Sequence, residues 1–334
     1  MTAYILRRLL LMVPTILGIT LIVFVLIQLL PGGPVEQLIS QIRAASEESG
    51  GDRVRISEQE LENINAYYGF DKPAYLRYVT WLWNIIRGDL GTSYVYKEPV
   101  GEVILSKIPV SATFGITSFV LSYLICIPLG FWKALSHRSL FDVSSSIGIL
   151  IGYVLPGYAA GILMIMFFGS YLDWFPISGF VSDNFERLGF WGKALDILHH
   201  MTLPLIAYML SQFALLTLLM RNSLLDELNK DYMKTALVKG LRFDEAARKH
   251  ALRNALIPLA TNIGEIFTIL FASTLLIERV FDLDGMGKLF FDSMVGRDYN
   301  VVLALIFILS ILTMLGRLFS DISYVIINPR IKFD

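Results

Sequence analysis

The sequence predicts an all-α integral membrane protein with six transmembrane helices. Hydrophobic residues make up 55% of the 334-residue chain and charged residues only 17%, whereas a typical soluble domain carries about 25% charged residues. Several apolar runs reach the length of roughly 20 residues that a helix needs to cross a bilayer. Lysine and arginine are concentrated in alternate loops between these runs, as in the inside loops of membrane proteins.

The first element is an apolar run that gives an N-terminal transmembrane helix over residues 1–30. Arg7 and Arg8 precede the run, as basic residues also do in a secretory signal peptide. However, the run is longer than the 7–15 apolar residues of a signal peptide, and it ends in Pro31-Gly32 without a small-residue cleavage site. We therefore expect this helix to be retained.

Residues 31–110 are too polar to cross a membrane. Ser57 and Glu60 have the spacing of a capping box, which predicts a short helix over residues 57–68. Aromatic and apolar residues recur at roughly helical spacing over residues 73–86, which predicts an amphipathic segment on the membrane or on the protein surface. We expect the whole segment to lie outside, opposite the N-terminus.

Five further spans are predicted at residues 111–134, 143–169, 201–220, 256–278 and 300–327. With the N-terminus inside, the short loops and chain ends that are rich in lysine and arginine all fall on the same side of the membrane. These inside residues are Arg7, Arg8, Lys133, Arg138, Arg221, Lys230, Lys234, Lys239, Arg242, Arg248, Lys249, Arg253, Arg330 and Lys332. Six spans with both termini inside satisfy this distribution.

The longest inside loop, residues 221–254, has the pattern of two short helices. Gly240 follows Lys239 as a glycine cap would, and Asp244 and Glu245 open the next helix, where the helix dipole favours acidic side chains. A set of residues before the glycine recurs at intervals of three or four and predicts one presented face: Tyr232, Thr235, Ala236 and Lys239. By composition the loop is equally typical of a solvated basic loop. The alternative is a docking helix for a cytoplasmic partner.

This loop resembles the characteristic cytoplasmic loop of ABC importer permeases, in the form used by the peptide family. The resemblance rests on Tyr232, Thr235-Ala236, Lys239-Gly240, His250-Ala-Leu-Arg-Asn-Ala255 and Ile257-Pro258. Lys234 and Thr235 stand where other branches have glutamate and the first alanine, a departure that is usual in the peptide branch.

Other motifs extend the resemblance over nearly the whole chain. They are Tyr4-Ile-Leu-Arg-Arg8, Leu30-Pro-Gly-Gly-Pro34, Tyr68-Gly-Phe-Asp-Lys-Pro73, Arg87-Gly-Asp-Leu-Gly91, Arg297-Asp-Tyr299 and Asn328-Pro-Arg-Ile331. Phe141-Asp-Val143, Ile151-Gly-Tyr153 and Ser320-Asp-Ile-Ser-Tyr324 are similar to the Yej-type branch, whose members import oligopeptides and the peptide-nucleotide antibiotic microcin C. Dipeptide and nickel permeases share the same motifs and remain alternatives.

The resemblance implies a type I ABC importer permease fold in a bacterial inner membrane, with both termini cytoplasmic. It implies a periplasmic segment over residues 31–110, a transmembrane domain over 111–327 that contains the docking loop 221–254, and a cytoplasmic tail over 328–334. The residues that would serve ATPase docking are Tyr232, Thr235, Ala236, Lys239, Gly240, His250, Arg253 and Asn254.

The resemblance also implies a division of labour among subunits. The chain would be non-catalytic and bind no cofactor, because a separate cytoplasmic ABC ATPase would hold ATP and magnesium. A homologous second permease would complete the path, and a periplasmic binding protein would deliver a peptide-like substrate. Membrane lipid would surround the spans. The net charge of −1 gives no reason to expect nucleic acid as a partner.

Three further sets of residues are candidate sites. Glu265 lies within the fifth predicted span. A carboxylate at this depth lines a translocation path, lies at a helix interface, or makes a structural hydrogen bond between helices. Arg317 and Asp321 are four residues apart and predict a structural pair on one helix face. The adjacent His199 and His200 point in different directions on a helix, so we expect no metal site.

Two other classes of membrane protein remain open at this stage. A secondary transporter predicts internal repeats and broken helices with more intramembrane charge. An intramembrane enzyme needs a catalytic pair at membrane depth, and Glu265 has no evident partner in the sequence. A P-loop is ruled out around Gly287-Lys288, because Asp282 and Leu289 occupy the required glycine and serine or threonine positions.

Overall fold

The structure is a computed structural model that describes residues 2–29, 70–265 and 275–327, together with isolated positions between 32 and 62. Within these ranges every regular element is helical, apart from one isolated antiparallel bridge between Thr92 and Pro99. The all-α prediction is therefore confirmed. The predicted helix over residues 57–68 lies outside the described residues except at positions 59, 61 and 62.

The helices are numbered here in chain order. They are α1 Thr2–Leu29, α2 Ala74–Ile86, α3 Val100–Leu135, α4 Leu140–Val154, α5 Gly157–Met164, α6 Phe190–Leu228, α7 Asp231–Val238, α8 Phe243–Ala246, α9 Leu252–Ala255, α10 Ile257–Thr261, α11 Leu275–Val280, α12 Met286–Val295 and α13 Tyr299–Ile327. A π-helical turn, Ile165–Tyr171, extends α5, and another, Ala247–Ala251, joins α8 to α9. Short 3₁₀ turns lie at Phe185–Arg187 and Asn262–Glu265.

Three of these helices are long and apolar enough to cross a membrane as single segments: Tyr4–Leu29, Val100–Leu135 and Tyr299–Ser323. Two bent pairs also qualify if each pair counts as one span. Leu140–Val154 and Gly157–Tyr171 meet at 97°, and Phe190–Leu210 and Gln212–Leu228 meet at 53°. The described part of the chain thus has three to five candidate spans. The fifth predicted span, 256–278, includes residues 266–274, which lie outside that part.

The sharp bend between α4 and α5 differs from the single span predicted over residues 143–169. Leu155 has extended backbone angles, φ −81° and ψ 119°, and Pro156 follows it. Proline lacks an N–H group and disfavours a helical conformation at the preceding residue, so the helix stops there. Gly157 then starts α5 against α6, where a Cβ atom would collide with the carbonyl oxygen of Ala207.

The chain forms two compact units. The first consists of Met1–Leu6, Pro109–Lys288 and Leu312–Asp334, and the second of Arg7–Ile108 and Leu289–Ile311. The first unit contains two apolar cores, one around Phe114, Tyr208 and Phe281 and the other beneath α7 to α10. The core of the second unit is built from Phe24, Ile27 and the first turns of α13, with aromatic side chains of α2 packed against it.

Candidate functional site

The loop between α6 and α10 folds into α7 and, after a break at Gly240, into a second helical segment in which a π-helical turn joins α8 to α9; the sequence predicts two short helices with this break. Helix α7 ends in a Schellman motif, in which the Gly240 N–H donates to the Leu237 carbonyl at 2.9 Å and the Leu241 N–H to the Ala236 carbonyl at 3.3 Å. Gly240 has φ +90°, a conformation that costs glycine little and other residues more. The chain then turns into α8, whose first turn carries Asp244 and Glu245. Residues 231–255 are named the loop module below.

The loop module is held against α3 and α6 by a continuous apolar core. The side chains that form this core are buried, and the alanines among them allow the helices to approach closely. They are Phe131 and Ala134 of α3, Met220 and Leu224 of α6, and Met233, Ala236, Ala246, Ala247, Ala251, Ala255 and Leu259 from the loop module and α10. This packing places the module in direct contact with both long helices.

The predicted docking face is split by this packing. Ala236 is buried in the core and Tyr232 is partly buried, whereas the spacing predicts that both lie on one presented face. Thr235, Lys239 and Gly240 are exposed. The reason is that the helix packs on the core through the side containing residues 232, 233 and 236, which leaves the opposite side to solvent.

The exposed side of α7 and the start of α8 carry an apolar patch with basic neighbours. Val238 is 89% exposed, and Leu237 and Phe243 are also exposed. Lys234 is exposed and pairs with Asp231 at 2.8 Å, which raises the pKa of the lysine and lowers that of the aspartate. The other exposed basic residues of the module are Lys239, Arg242, Arg248, Lys249, His250 and Arg253.

A polar network around Glu227, which the sequence did not single out, fixes the base of the module. The Tyr232 hydroxyl donates to Glu227 Oε2, and Asn254 Nδ2 lies 3.4 Å from the same oxygen. Burial, followed by the hydrogen bond to Glu227, raises the pKa of Tyr232. Tyr232 and Asn254 therefore stabilise the module from within. Glu227 stands near the end of α6, and its sequence neighbourhood showed only a charged loop.

A second feature missed at the sequence level is a buried ion cluster where α3, α4 and α6 meet. Arg221 donates to both carboxylate oxygens of Asp142, at 2.7 and 2.6 Å. The Lys133 side chain is 0% exposed, and its ammonium lies 3.3 Å from Asp142 Oδ1. The same ammonium donates to the Asp142 carbonyl at 2.8 Å and to two serine hydroxyls of α4. Lys133 and Arg221, which the sequence presented only as inside positive charges, thus join three helices.

Comparison with known proteins assigns this architecture to a family. The model of the family described as "Binding-protein-dependent transport system inner membrane component" matches residues 126–333, which include the loop module and its supporting helices. The chain belongs to this family. It is 43% identical to the peptidoglycan transport system permease protein YejB of Agrobacterium fabrum, covering 100% of this chain and 99% of the relative.

Two further relatives support the family assignment over their full length. The inner membrane ABC transporter permease protein YejB of Escherichia coli O157:H7 is 40% identical, and the oligopeptide transport system permease protein AppB of Bacillus subtilis is 35% identical. Both alignments cover 100% of each chain. The resemblance to importer permeases is confirmed, and the alternatives of a secondary transporter and an intramembrane enzyme are set aside.

Membership of this family identifies the chain as the permease subunit of a transporter. It is a multi-pass inner-membrane component of an ABC transporter and not an enzyme, and no cofactor is expected on it. Binding-protein-dependent transport implies an ATPase and a binding protein as partners.

The permease contains a third polar cluster that was not predicted, around the buried Glu278 of α11. Its Oε1 accepts hydrogen bonds from the Ser111 hydroxyl at 2.6 Å and the Tyr208 hydroxyl at 3.2 Å. Its Oε2 accepts from the backbone N–H groups of Gly287 and Lys288 at 2.8 and 3.0 Å. The carboxylate thus caps the N-terminus of α12, where the helix dipole favours a negative charge. It joins α11 and α12 to α3 and α6.

The remaining predicted sites have different outcomes. The Glu265 side chain lies outside the described residues, although its backbone ends a 3₁₀ turn. Asp321 accepts a hydrogen bond from the Tyr4 hydroxyl at 2.9 Å, and Arg317 is exposed. The structure thus gives Asp321 a partner that is distant in sequence, and its pairing with Arg317 stays a prediction. His199 and His200 each contact a different backbone carbonyl, and no cluster suited to a metal occurs among the described residues.

Proposed function

We propose that the chain is one of two homologous permease subunits that enclose a translocation path for peptides or peptide-like solutes. The peptide class is supported by the names of two relatives that match over their full length, which specify peptidoglycan and oligopeptide transport. A cytoplasmic ABC ATPase would supply the energy, and a periplasmic binding protein would deliver the substrate.

The proposed topology has six spans with both termini in the cytoplasm. Three straight helices and two bent pairs account for five of these spans, and residues 256–278 would supply the sixth. Residues 31–110 would then be periplasmic, residues 111–327 would form the transmembrane domain and residues 328–334 a cytoplasmic tail. This arrangement keeps the basic residues of the loop module on the cytoplasmic side, as the positive-inside rule requires.

The loop module is proposed as the ATPase-docking element. The observation that carries this proposal is an exposed apolar patch, Leu237, Val238 and Phe243, on a module whose opposite face is packed against α3 and α6. An apolar centre with a polar rim is the usual composition of a stable protein interface. Movement of the ATPase would therefore shift the module as one body and carry the attached helices with it.

The docking residues suggested by the family loop fall into two groups under this proposal. Thr235, Lys239 and Gly240 lie on the exposed side beside the patch, and His250 and Arg253 are exposed elsewhere on the module. The second group, Tyr232, Ala236 and Asn254, maintains the fold of the module. A substitution in the second group would act on stability first and on docking only as a consequence.

The test is a Val238→Glu variant of the permease, co-expressed with its second permease and ATPase. We expect at least a tenfold loss of co-purified ATPase and of binding-protein-dependent uptake, because a carboxylate would be buried unpaired at the centre of the interface. Val95→Glu is the matched control, since Val95 is also exposed but lies in the segment proposed to be periplasmic. Normal retention of the ATPase by Val238→Glu, at an unchanged level of folded permease, would overturn the docking proposal.

A further inference from the structure

The second compact unit contains a cavity of about 230 Å³ between the C-terminal turns of α1, helix α2, the segment around Leu90 and the first turn of α13. Both aromatic and charged residues line this cavity. The aromatic residues are Phe24, Phe70, Trp81, Tyr94 and Tyr299, and the charged residues are Lys72, Arg77 and Asp89. Pockets that enclose a whole drug-sized ligand measure about 300–1,000 Å³, so this cavity suits one end of a larger molecule.

Arg77 is the partly buried cation on the cavity wall. Its Nη2 donates to Gln28 Oε1 at 2.7 Å, and its guanidinium lies 4.7 Å from the centre of the Phe70 ring. Its Nε is closed to solvent and has no hydrogen-bond partner. In the part of the chain that the structure describes, no carboxylate pairs with this guanidinium. Charges that are withdrawn from water in proteins are normally paired, and among the described residues this guanidinium has no anionic partner.

A second unpartnered donor belongs to the same wall. The indole Nε1 of Trp81 is closed to solvent and makes no hydrogen bond, although a buried tryptophan usually finds a partner for this group. Trp81 and Arg77 lie four residues apart on α2, and both line the cavity. Arg77 and Trp81 thus place two unpaired donors at one cavity, and a ligand with several acceptor oxygens would satisfy them once their side chains turn toward it.

The position of the cavity indicates which ligand this is. Phe24, Ile27 and Gln28 belong to the last turns of one candidate span, and Tyr299 and Leu303 to the first turns of another. The cavity therefore lies where two spans leave the hydrocarbon, at the level of lipid headgroups. Aromatic side chains of the kind that line it are typical of this level.

Helix α2 supports the same placement. Apolar side chains on one face of α2 are exposed, namely Leu76, Val79, Trp83 and Ile86, whereas Ile85 is buried and Tyr78 and Trp81 pack into the core of the unit. A helix with an exposed apolar face and a protein-facing polar residue such as Arg77 is suited to lie in the membrane interface. It would bring the cavity mouth next to lipid.

We propose that this cavity binds the phosphate headgroup of an anionic phospholipid. The Arg77 guanidinium presents donors in a fork that matches phosphate oxygens, and the aromatic walls accommodate the glycerol and the first carbons of the acyl chains. Lys72 and Arg77 outweigh Asp89, whose Oδ1 already accepts from the Gly91 N–H at 2.8 Å. This excess of positive charge selects an anionic lipid over a zwitterionic one.

The experiment measures lipid binding to the full-length permease in detergent by native mass spectrometry. The probe is phosphatidylglycerol, titrated against the wild type, with phosphatidylethanolamine and inorganic phosphate as separate titrations. We expect saturable binding of phosphatidylglycerol that Arg77→Gln weakens about tenfold. Arg87→Gln is the matched control: Arg87 follows the same helix, stacks 4.6 Å from the Trp83 ring and is exposed, but does not line the cavity. The affinity of Arg87→Gln for phosphatidylglycerol is expected to stay at the wild-type value.

A second variant covers the case in which Arg77→Gln does not fold. Trp81→Phe keeps an aromatic ring and removes only the N–H donor, and we expect it to weaken lipid binding about threefold. Equal losses for the arginine variants at positions 77 and 87 would overturn the proposal, since they would indicate general surface attraction. Binding of free phosphate as tight as that of the lipid, displacement of the lipid by a short peptide, or non-saturable binding would overturn it as well.

Discussion

The buried ion cluster at Asp142 makes the strongest prediction about what holds α3, α4 and α6 together. Asp142→Asn removes the negative charge that Arg221 contacts with two hydrogen bonds and that Lys133 approaches to 3.3 Å. Two cations then share a site in which the Lys133 side chain is 0% exposed and that of Arg221 is 18% exposed. Leaving one partner of a buried pair uncompensated costs about 3–5 kcal/mol.

The structure places the expected loss near the lower end of that range. Lys133 keeps its bonds to the Asp142 carbonyl and to the hydroxyls of Ser145 and Ser146, at 2.8, 2.6 and 2.8 Å. Arg221 is exposed enough to recover some hydration. We therefore expect Asp142→Asn to lower the free energy of unfolding in detergent micelles by about 3 kcal/mol, measured by denaturant titration of helical circular dichroism.

Asp231→Asn is the control variant, and its free energy of unfolding is measured in the same way. Asp231→Asn removes an exposed carboxylate whose pair with Lys234 is open to solvent, and such pairs contribute little. A double-mutant cycle with Arg221→Gln should show that the two substitutions together cost less than their sum. Equal stability of Asp142→Asn and Asp231→Asn, or losses at positions 142 and 221 that simply add, would contradict the role of the buried charges.

Three further predictions concern the module and the Glu278 cluster. Met233→Ala removes a side chain that is 1% exposed from the core beneath α7; we expect a loss of about 2–5 kcal/mol in unfolding free energy and faster proteolysis within the module. Glu278→Gln places an amide donor against hydroxyl and backbone donors; we expect a loss of about 1–3 kcal/mol, measured by the same titration, whereas a loss near zero would contradict the cluster's role. The pKa of Tyr232 is raised in the fold, so its stabilisation is fully present below the ordinary tyrosine pKa of about 10 and is lost as pH rises through the higher folded value. Tyr232→Phe should not show this step when stability is followed at alkaline pH.

The loop module shows which structural features can be predicted from local sequence signals. The break at Gly240 and the acidic start of α8 could be predicted because a glycine cap and helix-dipole preferences act within a few residues. The direction in which Tyr232 and Ala236 point could not be predicted. Their spacing indicates that they share a helix face, but it does not indicate which surface covers that face. The buried core that receives Ala236 comes from α3 and α6, which the loop sequence does not contain.

The polar clusters mark the limit of sequence reasoning in this permease. Arg221 and Asp142 are 79 residues apart, and Ser111 and Glu278 are 167 apart. Neither pair has a spacing that could signal a contact, and Lys133 and Arg221 were explained sufficiently by the positive-inside rule. The sequence predicts one continuous span over residues 143–169, but the chain bends sharply at Pro156, whereas Pro128 and Pro204 lie inside the helices α3 and α6.

The most direct test of the account is cysteine cross-linking between the loop module and the ATPase. The single native cysteine, Cys126, is 0% exposed, so an introduced thiol would be the reactive one. Val238→Cys should form a cross-link to the co-expressed ATPase with a short bifunctional reagent, and Val95→Cys should form none. A cross-linked ATPase at position 95 together with none at position 238 would contradict the proposed docking face.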